Sequence, residues 1–430
     1  MSAAMLPLTV VSERLLFSFG EEVPDDEWTL IHATDLYSSE RGHGFEDPVA
    51  LEHFSWKGAG PWRGGLQARG SLIFSARLPE GNYSVTVWLA GLPDAAQPVT
   101  IRSESRRLMM ETLAPDEMDV LRYRFTANVR QPDLRSGGRV ELKAREAGAW
   151  HWDDRLQLEF SGDSIALLGI EITPNPDAIT VYLAGDSTVT DQVEEPWTGW
   201  GQILPRFFDA SVAVANHAES GEALRSFRAA GRFEKILDSI RPGDYLLIQF
   251  GHNDQKERGE GIGAFSSYAD DLRDYVREVR DKGAHPVLVT SMKRRRFDSE
   301  GRQYATLNDY PVAVRQVAAE MQVPLIDLHL MSGVLYSALG PEGSKNAFVH
   351  YPAGTFPGQD QDLRDDSHFS PYGGYQLARC TVLGIQLGLP ELAERLRDDV
   401  GSFDPARPDS YDEFQIPPSR RASIQVPDGD

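Results

Sequence analysis

"ITVYLAGDST", residues 179–188, is the stretch that decides the fold of this 430-residue chain. Its first six residues form an apolar run of the length of one buried strand, and Gly185, Asp186, Ser187 and Thr188 follow at once. Gly, Asp and Ser are common in turns, so the serine could simply belong to a turn. It could equally hold its hydroxyl at the strand end for attack on a substrate. The residues that converge on this strand end decide between the two interpretations.

The stretch opens a region in which strand and helix patterns alternate. Two segments, 224–240 and 268–282, carry apolar residues three and four positions apart, as in amphipathic helices. Apolar strand candidates lie at 179–184, 212–216, 245–250, 286–292 and 324–330. This alternation predicts an α/β fold over residues 179–400, a three-layer doubly wound sheet of about five parallel strands.

Residues 10–173 show a different pattern. Short alternating runs such as "SLIFSARL" and "NYSVTVWLAG" are separated by turn residues, with no helices between them. This predicts an all-β sandwich of the jelly-roll type ahead of the α/β region. Two prolines in "TPNPDA" (173–178) mark the boundary between the two domains that a chain of this length is expected to contain. Residues 401–430 are expected to form a C-terminal tail, and its last stretch, "PPSRRASIQVPDGD" (417–430), is expected to be a loose terminus.

The overall charge argues against two classes of partner. The formal net charge is −22, and repulsion from phosphate opposes binding to nucleic acid or to an anionic membrane surface. The basic run "KRRRF" at 293–297 is interpreted as a solvated loop or as a local contact to an acidic sugar. Cys380 is the single cysteine, which excludes an intrachain disulfide and a cysteine-based zinc cluster.

The sequence also bears on the cellular location. No run of roughly 18 apolar residues is present to span a membrane. The N-terminal "MSAAMLPLTVVSERLLFSFG" has no basic region ahead of its apolar residues, so a secretory signal is not recognisable. A cytoplasmic location is therefore expected, and a secreted or periplasmic one if the N-terminus has been trimmed. The oligomeric state is left open.

Four polar blocks carry residues with different chemical uses. They are "GDST" (185–188), "NHAESG" (216–221), "GHND" (251–254) and "DDSHFS" (365–370). Ligands of an open parallel sheet bind outside the carboxyl ends of its strands, where the first three blocks fall. Ser187 offers a hydroxyl and His368 a base, while Asp365, three residues earlier, can reach the ring from the same turn. A serine needs such a base, and the base needs a carboxylate to fix its tautomer.

The same blocks offer hydrogen-bond donors for the oxyanion that forms when a carbonyl is attacked. The backbone N–H groups of Ser187 and Gly221 and the side-chain amide of Asn253 can serve in this way. Glycine at position 221 lets the backbone approach a ligand closely. Together the blocks therefore supply a nucleophile, a base, an orienting carboxylate and oxyanion donors.

The order of the blocks resembles that of the SGNH (GDSL-type) hydrolases. The stretches "GDSTVTDQVEEPWTGWGQILPRFF", "NHAESGEALRSF", "IQFGHNDQK" and "HYPAGTFPGQDQDLRDDSHFSPYGGYQLA" look like the rhamnogalacturonan acetylesterase branch. The resemblance implies Ser187 as nucleophile, His368 as base and Asp365 as its partner. It implies Ser187, Gly221 and Asn253 as the oxyanion hole. It also implies a carbohydrate acetylesterase that acts on a plant cell-wall polysaccharide or oligosaccharide of the rhamnogalacturonan or pectin type, through an acyl-enzyme.

Two alternatives stay open beside this resemblance. One is an esterase for another acetylated glycan such as xylan, or for small acyl esters. The other is a non-catalytic carbohydrate-binding protein on an inactive hydrolase scaffold. Residues 10–173 resemble the galactose-binding-like domains that are attached to bacterial members of this branch. The second block departs from many of its relatives, because Gly221 is followed by Glu222 and Ala223 in place of an arginine and serines. Side-chain contacts to the sugar are therefore expected to differ.

Aromatic and histidine residues near the blocks complete the candidate list. The aromatic candidates for contact with a sugar, with core packing as the alternative, are Trp197, Trp200, Tyr351 and Phe356. His252 is expected to be a hydrogen-bonding neighbour of the oxyanion loop. His217, His252 and His350 are scattered without a His-Glu-x-x-His spacing, and no glycine-rich phosphate loop follows the first strand. No metal or cofactor is therefore expected.

Overall fold

The structure is a computed structural model that describes residues 14–58, 60–92, 98–421 and 426–428. An all-β region comes first and an α/β region follows it. The strands of the all-β region are β1 (Leu15–Ser18), β2 (Thr29–Leu30), β3 (His43–Phe45), β4 (Glu52–Ser55), β5 (Gly64–Arg77), β6 (Gly81–Ala90), β7 (Val99–Ser103), β8 (Arg107–Leu113), β9 (Val120–Val129) and β10 (Arg155–Pro174). Residues 10–13, where the predicted sandwich begins, lie outside the described ranges.

The long strand β10 organises the all-β region. Its first part pairs antiparallel with β5 and β7, and its last part pairs antiparallel with β1 and β6. Irregularities of register at 162–165 and 167–169 interrupt the pairing, and such bulges bend a strand. Its residues Leu158, Phe160 and Ile170 are fully buried in the core of this region. The all-β region expected from the alternating runs is therefore confirmed.

The α/β region begins with β11 (Ile179–Gly185). Its further strands are β12 (Val212–Asn216), β13 (Tyr245–Gln249), β14 (His285–Val289), β15 (Leu325–Ile326), β16 (Phe348–Tyr351) and β17 (Leu363–Phe369). Its helices are α1 (Trp200–Ile203), α2 (Leu224–Ala229), α3 (Arg232–Ser239), α4 (Ala269–Asp281), α5 (Tyr310–Met321), α6 (Leu328–Gly343), α7 (Pro371–Gly388) and α8 (Pro390–Ala393). A helix with the length and apolar content to traverse a bilayer is not found within the described ranges.

β11 lies inside a parallel sheet with the strand order β12-β11-β13-β14-β15. Side chains alternate along a strand, so Val181 and Leu183 enter the core that is covered by α1, α6 and α7. Tyr182 and Ala184 enter the opposite core, which is covered by α2 to α5. The strand is apolar on both faces because helices cover both. This three-layer arrangement of five parallel strands confirms the predicted fold.

The predicted strand at 324–330 is wrong in its second half. β15 comprises only Leu325 and Ile326, and α6 begins at Leu328. Asp327 ends the strand, because its carboxylate accepts a hydrogen bond from the backbone N–H of Leu330 and caps the helix. An apolar run that is interrupted by a capping aspartate is thus divided between two elements.

The predicted helix at 224–240 is divided as well. α2 ends at Ala229, α3 begins at Arg232, and Gly231 lies between them with a φ of 73°. Left-handed backbone is strained for residues with a Cβ but not for glycine, so this residue turns the chain between the two helices. The predicted helix at 268–282 is confirmed, since α4 lies within it.

Buried ion pairs join the all-β region to the α/β region. Arg107 Nε, in β8, lies 2.6 Å from Asp191 Oδ2, and both side chains are at most 2% exposed. Arg232, at the start of α3, pairs with Glu146, which precedes β10, and this pair is buried as well. Removing one member of such a pair leaves the other charge buried without a partner, which costs several kcal/mol. The two regions are therefore held together by much more than a linker.

The expectation of a loose terminus is wrong for residues 417–421, and the preceding part of the tail also contacts the folded regions. Ser419 donates from Oγ to Glu159 Oε2 of β10 at 2.9 Å. Arg379 of α7 donates from Nη1 to Asp409 Oδ1 at 2.6 Å. The segment therefore contacts both regions of the chain through its polar side chains.

Candidate active site

Ser187 lies just beyond the end of β11, in a turn built by Asp186. The Asp186 oxygen Oδ1 accepts hydrogen bonds from the backbone N–H of Thr188 at 3.0 Å and from its hydroxyl at 2.6 Å. Glycine precedes the aspartate because a Cβ at Gly185 would lie 2.5 Å from Cγ2 of Val189. The two interpretations of the opening stretch are therefore compatible, since the turn is the device that presents the Ser187 hydroxyl.

Ser187, His368 and Asp365 form a continuous chain of hydrogen bonds. Ser187 Oγ lies 2.9 Å from His368 Nε2, and His368 Nδ1 lies 2.7 Å from Asp365 Oδ2. All three residues are at most 6% exposed. Burial alone would raise the pKa of Asp365, but hydrogen bonds from His368 and from neighbouring backbone N–H groups hold it below its ordinary value. The ionised carboxylate can keep the imidazole proton on Nδ1, which leaves Nε2 to accept from the serine.

A bulge in β17 lets Asp365 reach His368. Phe348 of β16 pairs with Phe369 of β17, and His350 pairs with Arg364. Two steps along β16 thus correspond to five steps along β17. Within the bulge, Asp365 Oδ1 accepts hydrogen bonds from the backbone N–H groups of Ser367 at 2.8 Å and His368 at 2.9 Å. The spacing of three residues thus works through a bulged strand rather than through a helical turn.

Asp366, beside the triad carboxylate, is bound elsewhere. Its Oδ1 lies 2.9 Å from His350 Nε2 and accepts from Arg295 Nη1 at 2.8 Å, and its Oδ2 accepts from Arg296. Burial alone would raise the pKa of Asp366, but the hydrogen bonds from His350 and Arg295 lower it to about 2. Asp365 is therefore the carboxylate that contacts the base. Two arginines of the basic run 293–297 are paired with the Asp366 carboxylate of the protein itself.

The predicted oxyanion donors lie on the loops that follow β11, β12 and β13. Among the described residues, no acceptor is paired with the backbone N–H of Ser187 or of Gly221. Gly221 has a φ of +79°, and a Cβ there would lie 3.1 Å from Cβ of Asp428, so glycine is favoured on both counts. Asn253 donates from Nδ2 to the carbonyl oxygen of Glu222 at 3.0 Å, which brings the third block against the second. The role of these groups as donors stays a prediction.

His252 links the third block to the nucleophile turn. Its Nδ1 lies 3.3 Å from Asp186 Oδ2, and its Nε2 lies 3.1 Å from the carbonyl oxygen of Met292. Burial lowers the pKa of His252 and the contact with Asp186 opposes this. The carbonyl oxygen and the carboxylate are both acceptors, so the neutral ring that burial favours can donate to only one of them. The ring contacts the Asp186 turn, which presents Ser187.

Two of the four aromatic candidates are almost completely buried. Trp200 is fully buried in the core, and its Nε1 donates to Gln249 Oε1 at 2.7 Å. Trp197 is 2% exposed, which leaves too little of its face for a sugar ring to stack on. Burial therefore favours core packing, the alternative interpretation, for both tryptophans. Tyr351 and Phe356 are partly buried and pack edge to face with ring centroids 5.1 Å apart, so they stay candidates.

Three side chains beside the blocks are absent from the sequence-based list. Gln192 donates from Nε2 to the carbonyl oxygen of Ser187 at 2.9 Å, and Arg145 donates from Nη2 to Gln192 Oε1 at 3.1 Å. Lys143 donates from Nζ to the carbonyl oxygen of Ser220. Lys143 and Arg145 lie between β9 and β10. No sequence motif marks them, because only the packing of the two regions brings them next to the four blocks.

Comparison with known proteins places this geometry in a family. The model of the GDSL-like lipase/acylhydrolase family matches residues 183–374, which contain all four blocks. The chain is 46% identical over 215 residues to the rhamnogalacturonan acetylesterase RhgT of Bacillus subtilis (strain 168), covering 49% of this chain and 92% of that protein. This chain belongs to the GDSL-like lipase/acylhydrolase family. The resemblance drawn from the four blocks is confirmed, and the chain is a carboxylic-ester hydrolase.

One further relative matches more of the chain than the α/β region alone. The uncharacterized esterase YxiM of Bacillus subtilis (strain 168) is 28% identical over 347 residues, covering 77% of this chain and 84% of that protein. The crystal structure of the Bacillus subtilis YxiM protein covers 87% of this chain and 98% of that chain, at 24% identity and a TM-score of 0.44. The probable rhamnogalacturonan acetylesterase YesY of the same organism is 35% identical over 217 residues, covering 49% of this chain and 94% of that protein.

Proposed function

We propose that this esterase removes O-acetyl groups from an acetylated rhamnogalacturonan or its oligosaccharides. The observation that carries the proposal is the hydrogen-bonded chain Ser187–His368–Asp365 in a protein that is 46% identical to a rhamnogalacturonan acetylesterase over 92% of that enzyme. The short distances support a serine-hydrolase mechanism, and the relative's name supports the sugar.

In the first half of the proposed reaction, Ser187 Oγ attacks the acetyl carbonyl carbon while His368 Nε2 takes the hydroxyl proton. Asp365 stabilises the imidazolium that forms through its contact with Nδ1. The carbonyl oxygen becomes an oxyanion, which the N–H groups of Ser187 and Gly221 and the amide of Asn253 would bind. Collapse of this intermediate breaks the bond to the sugar oxygen, and His368 gives that oxygen its proton.

In the second half, water attacks the acetyl group on Ser187. His368 takes a proton from the water as its oxygen adds to the carbonyl carbon. The second tetrahedral intermediate then releases acetic acid, which gives its proton to solvent to become acetate, and Ser187 Oγ recovers its proton from His368. The two half-reactions use the same base and the same oxyanion donors, and each leaves the protein unchanged in charge.

We propose that residues 10–173 and 179–400 are two domains and that the first supports the second. The buried pairs Arg107–Asp191 and Glu146–Arg232 favour a structural role for their interface. Arg106 adds hydrogen bonds from Nη1 to the carbonyl oxygens of Gln192 and Trp197, both in the loop that follows Ser187.

Acetate release from a panel of substrates tests the proposed function. Wild-type protein and Ser187→Ala are compared on acetylated rhamnogalacturonan oligosaccharides, acetylated xylooligosaccharides and p-nitrophenyl acetate. We expect kcat/KM to be at least about tenfold higher on the rhamnogalacturonan substrate than on the xylan substrate. We expect the serine variant to be inactive on all three. A preference for the xylan substrate would refute the sugar assignment, and an active serine variant would refute the mechanism.

A further inference from the structure

We propose that Lys143 is a positioning residue that orients and polarises the peptide group carrying the Gly221 N–H. This inference rests on the proposed function, in which that N–H binds the oxyanion. Lys143 belongs to the all-β region, before the short 3-10 helix Ala144–Glu146. It reaches across to the loop that follows β12, in the α/β region.

The contact of Lys143 is with the other end of the proposed donor group. Its Nζ donates to the carbonyl oxygen of Ser220, and this carbonyl and the N–H of Gly221 belong to one peptide group. The group is planar and trans, so its N–H points away from its C=O. A cation at the oxygen therefore fixes the direction of the N–H on the opposite side. It also draws electron density toward the oxygen, which makes the N–H a stronger donor, as in any polarised chain of hydrogen bonds.

The ammonium group is held in place by a buried carboxylate. Lys143 Nζ lies 2.8 Å from Glu222 Oε1, and the Glu222 side chain is 3% exposed. Ser226 donates from Oγ to Glu222 Oε2 at 2.5 Å, which fixes the carboxylate. Asn253 contacts the same residue through the carbonyl oxygen of Glu222. One lysine thus supports the second block next to both Gly221 and Asn253.

The backbone of the lysine is anchored as firmly as its side chain. Its N–H donates to Glu146 Oε2 at 2.8 Å, and Glu146 is the buried partner of Arg232 in α3. Trp152 donates from Nε1 to Glu146 Oε1 at 2.9 Å. The segment that carries Lys143 is therefore fixed to the α/β region, so the ammonium group needs little reorganisation to act on the peptide.

The pairing of Lys143 with Glu222 limits how much kcat is expected to fall when the lysine is removed. A neutralised cation polarises the peptide less than a free one, and removal of Lys143 weakens a donor without deleting it. Loss of a whole oxyanion donor lowers kcat by about two to three orders of magnitude. For loss of the lysine we therefore expect a smaller effect, about tenfold on kcat with KM within about twofold, because the oxyanion exists only in the transition state.

The test compares Lys143→Met, Lys143→Gln and Lys143→Arg with Lys235→Met in the full chain. Lys235 is a matched control, because its Nζ also crosses between the regions and donates to a carboxylate, Glu80 Oε2, at 2.6 Å and to a carbonyl, Asp133 O, at 2.7 Å. It lies outside the four blocks. We expect Lys235→Met to lower Tm and to leave kcat on p-nitrophenyl acetate unchanged.

Two readouts decide the proposal. We expect both neutral variants of Lys143 to lose about tenfold in kcat and the Arg variant to keep most of it. We expect the amide proton resonance of Gly221 in ¹H–¹⁵N spectra to move upfield when the charge is lost. A kcat within about twofold of wild type, a loss confined to KM, or an unmoved Gly221 resonance would overturn the proposal.

The design separates this inference from the proposed function. Where Lys143→Met does not fold, Lys143→Gln keeps a donor without the charge and gives the same test. p-Nitrophenyl acetate carries no sugar, so a wrong sugar assignment leaves the kcat comparison intact. The amide resonance requires no turnover, so a wild-type protein without esterase activity would refute the proposed function while this resonance still decides whether Lys143 polarises the peptide.

Discussion

Ser187 Oγ and His368 Nε2 lie 2.9 Å apart, although 181 positions separate the two residues in the chain. The hydroxyl is buried, and its hydrogen-bond partner is the imidazole. We expect Ser187→Ala to lower kcat on p-nitrophenyl acetate by about four orders of magnitude and to leave Tm nearly unchanged. Steady-state kinetics and thermal unfolding measure the two effects. A variant that keeps a tenth of the wild-type kcat would rule out Ser187 as nucleophile.

The neighbouring carboxylates Asp365 and Asp366 offer a matched pair of substitutions. We expect Asp365→Asn to lower kcat by about three to four orders of magnitude, because an amide donates to Nδ1 and favours the wrong imidazole tautomer. Asp366→Asn should leave kcat within about threefold, since Asp366 contacts His350 and two arginines instead of the base. Equal losses in the two variants would contradict the assignment of Asp365.

Asp366 should instead contribute to stability in a pH-dependent way. Its pKa in the folded protein is about 2, below the value of 3.8 that is usual for an aspartate. A depressed pKa gives stability that is present above the unfolded value and lost as the pH falls through the folded value. We expect Asp366→Asn to lower Tm near neutral pH, with the difference from wild type shrinking as the pH falls below about 4. Thermal unfolding at several pH values measures it, and a constant difference would argue against this ion pair.

The amide of Asn253 is expected to act mainly in the transition state. We expect Asn253→Ala to lower kcat by about two to three orders of magnitude with little change in KM. The variant also loses the hydrogen bond to the carbonyl oxygen of Glu222, so Tm is measured alongside the kinetics. An effect confined to KM would make Asn253 a residue that binds the ground state of the substrate.

Asp254 gives a pH dependence of the opposite sign. Its Oδ1 accepts the backbone N–H of Leu224 at 3.0 Å, and burial raises its pKa from 3.8 to about 7. A raised pKa gives stability that is fully present below the unfolded value and is lost as the pH rises through about 7. We expect Asp254→Asn to reduce the fall in Tm between about pH 5.5 and about pH 8.5. Asp270→Asn, at an exposed position of α4, is the control. The same pH dependence of Tm in wild type and in both variants would refute the raised pKa of Asp254.

The sequence predicts the core of the site because its signals are local. Ser187, Gly221 and Asn253 each follow a strand whose apolar run is visible, and parallel strands bring their ends to one edge. Asp365 and His368 are close in sequence, so a turn or a bulge suffices to join them. The strand at 324–330 is misplaced for a local reason too, since Asp327 caps a helix inside an apolar run.

The remainder of the site depends on contacts between distant segments. Lys143 and Arg145 approach the blocks only after the all-β region packs on the α/β region, and no spacing in the sequence encodes that contact. Trp197 and Trp200 lie beside a motif in the sequence, yet burial alone decides whether an indole packs in the core or faces a ligand. The tail likewise looks loose in composition, while Ser419 is held by Glu159.

The interface between the two regions predicts the behaviour of an isolated 174–430 fragment. Asp191 and Arg232 are buried against Arg107 and Glu146, so removal of residues 1–173 leaves two charges without their partners. Leu108 of β8 is also buried in the same apolar core as Val181 and Leu204 of the α/β region, so the deletion exposes part of that core to water. We expect the fragment to be insoluble or to unfold without cooperativity, and co-expression of residues 1–173 to restore soluble esterase. A soluble fragment with cooperative unfolding and wild-type kcat on p-nitrophenyl acetate would contradict both the structural role of the interface and the role of Lys143.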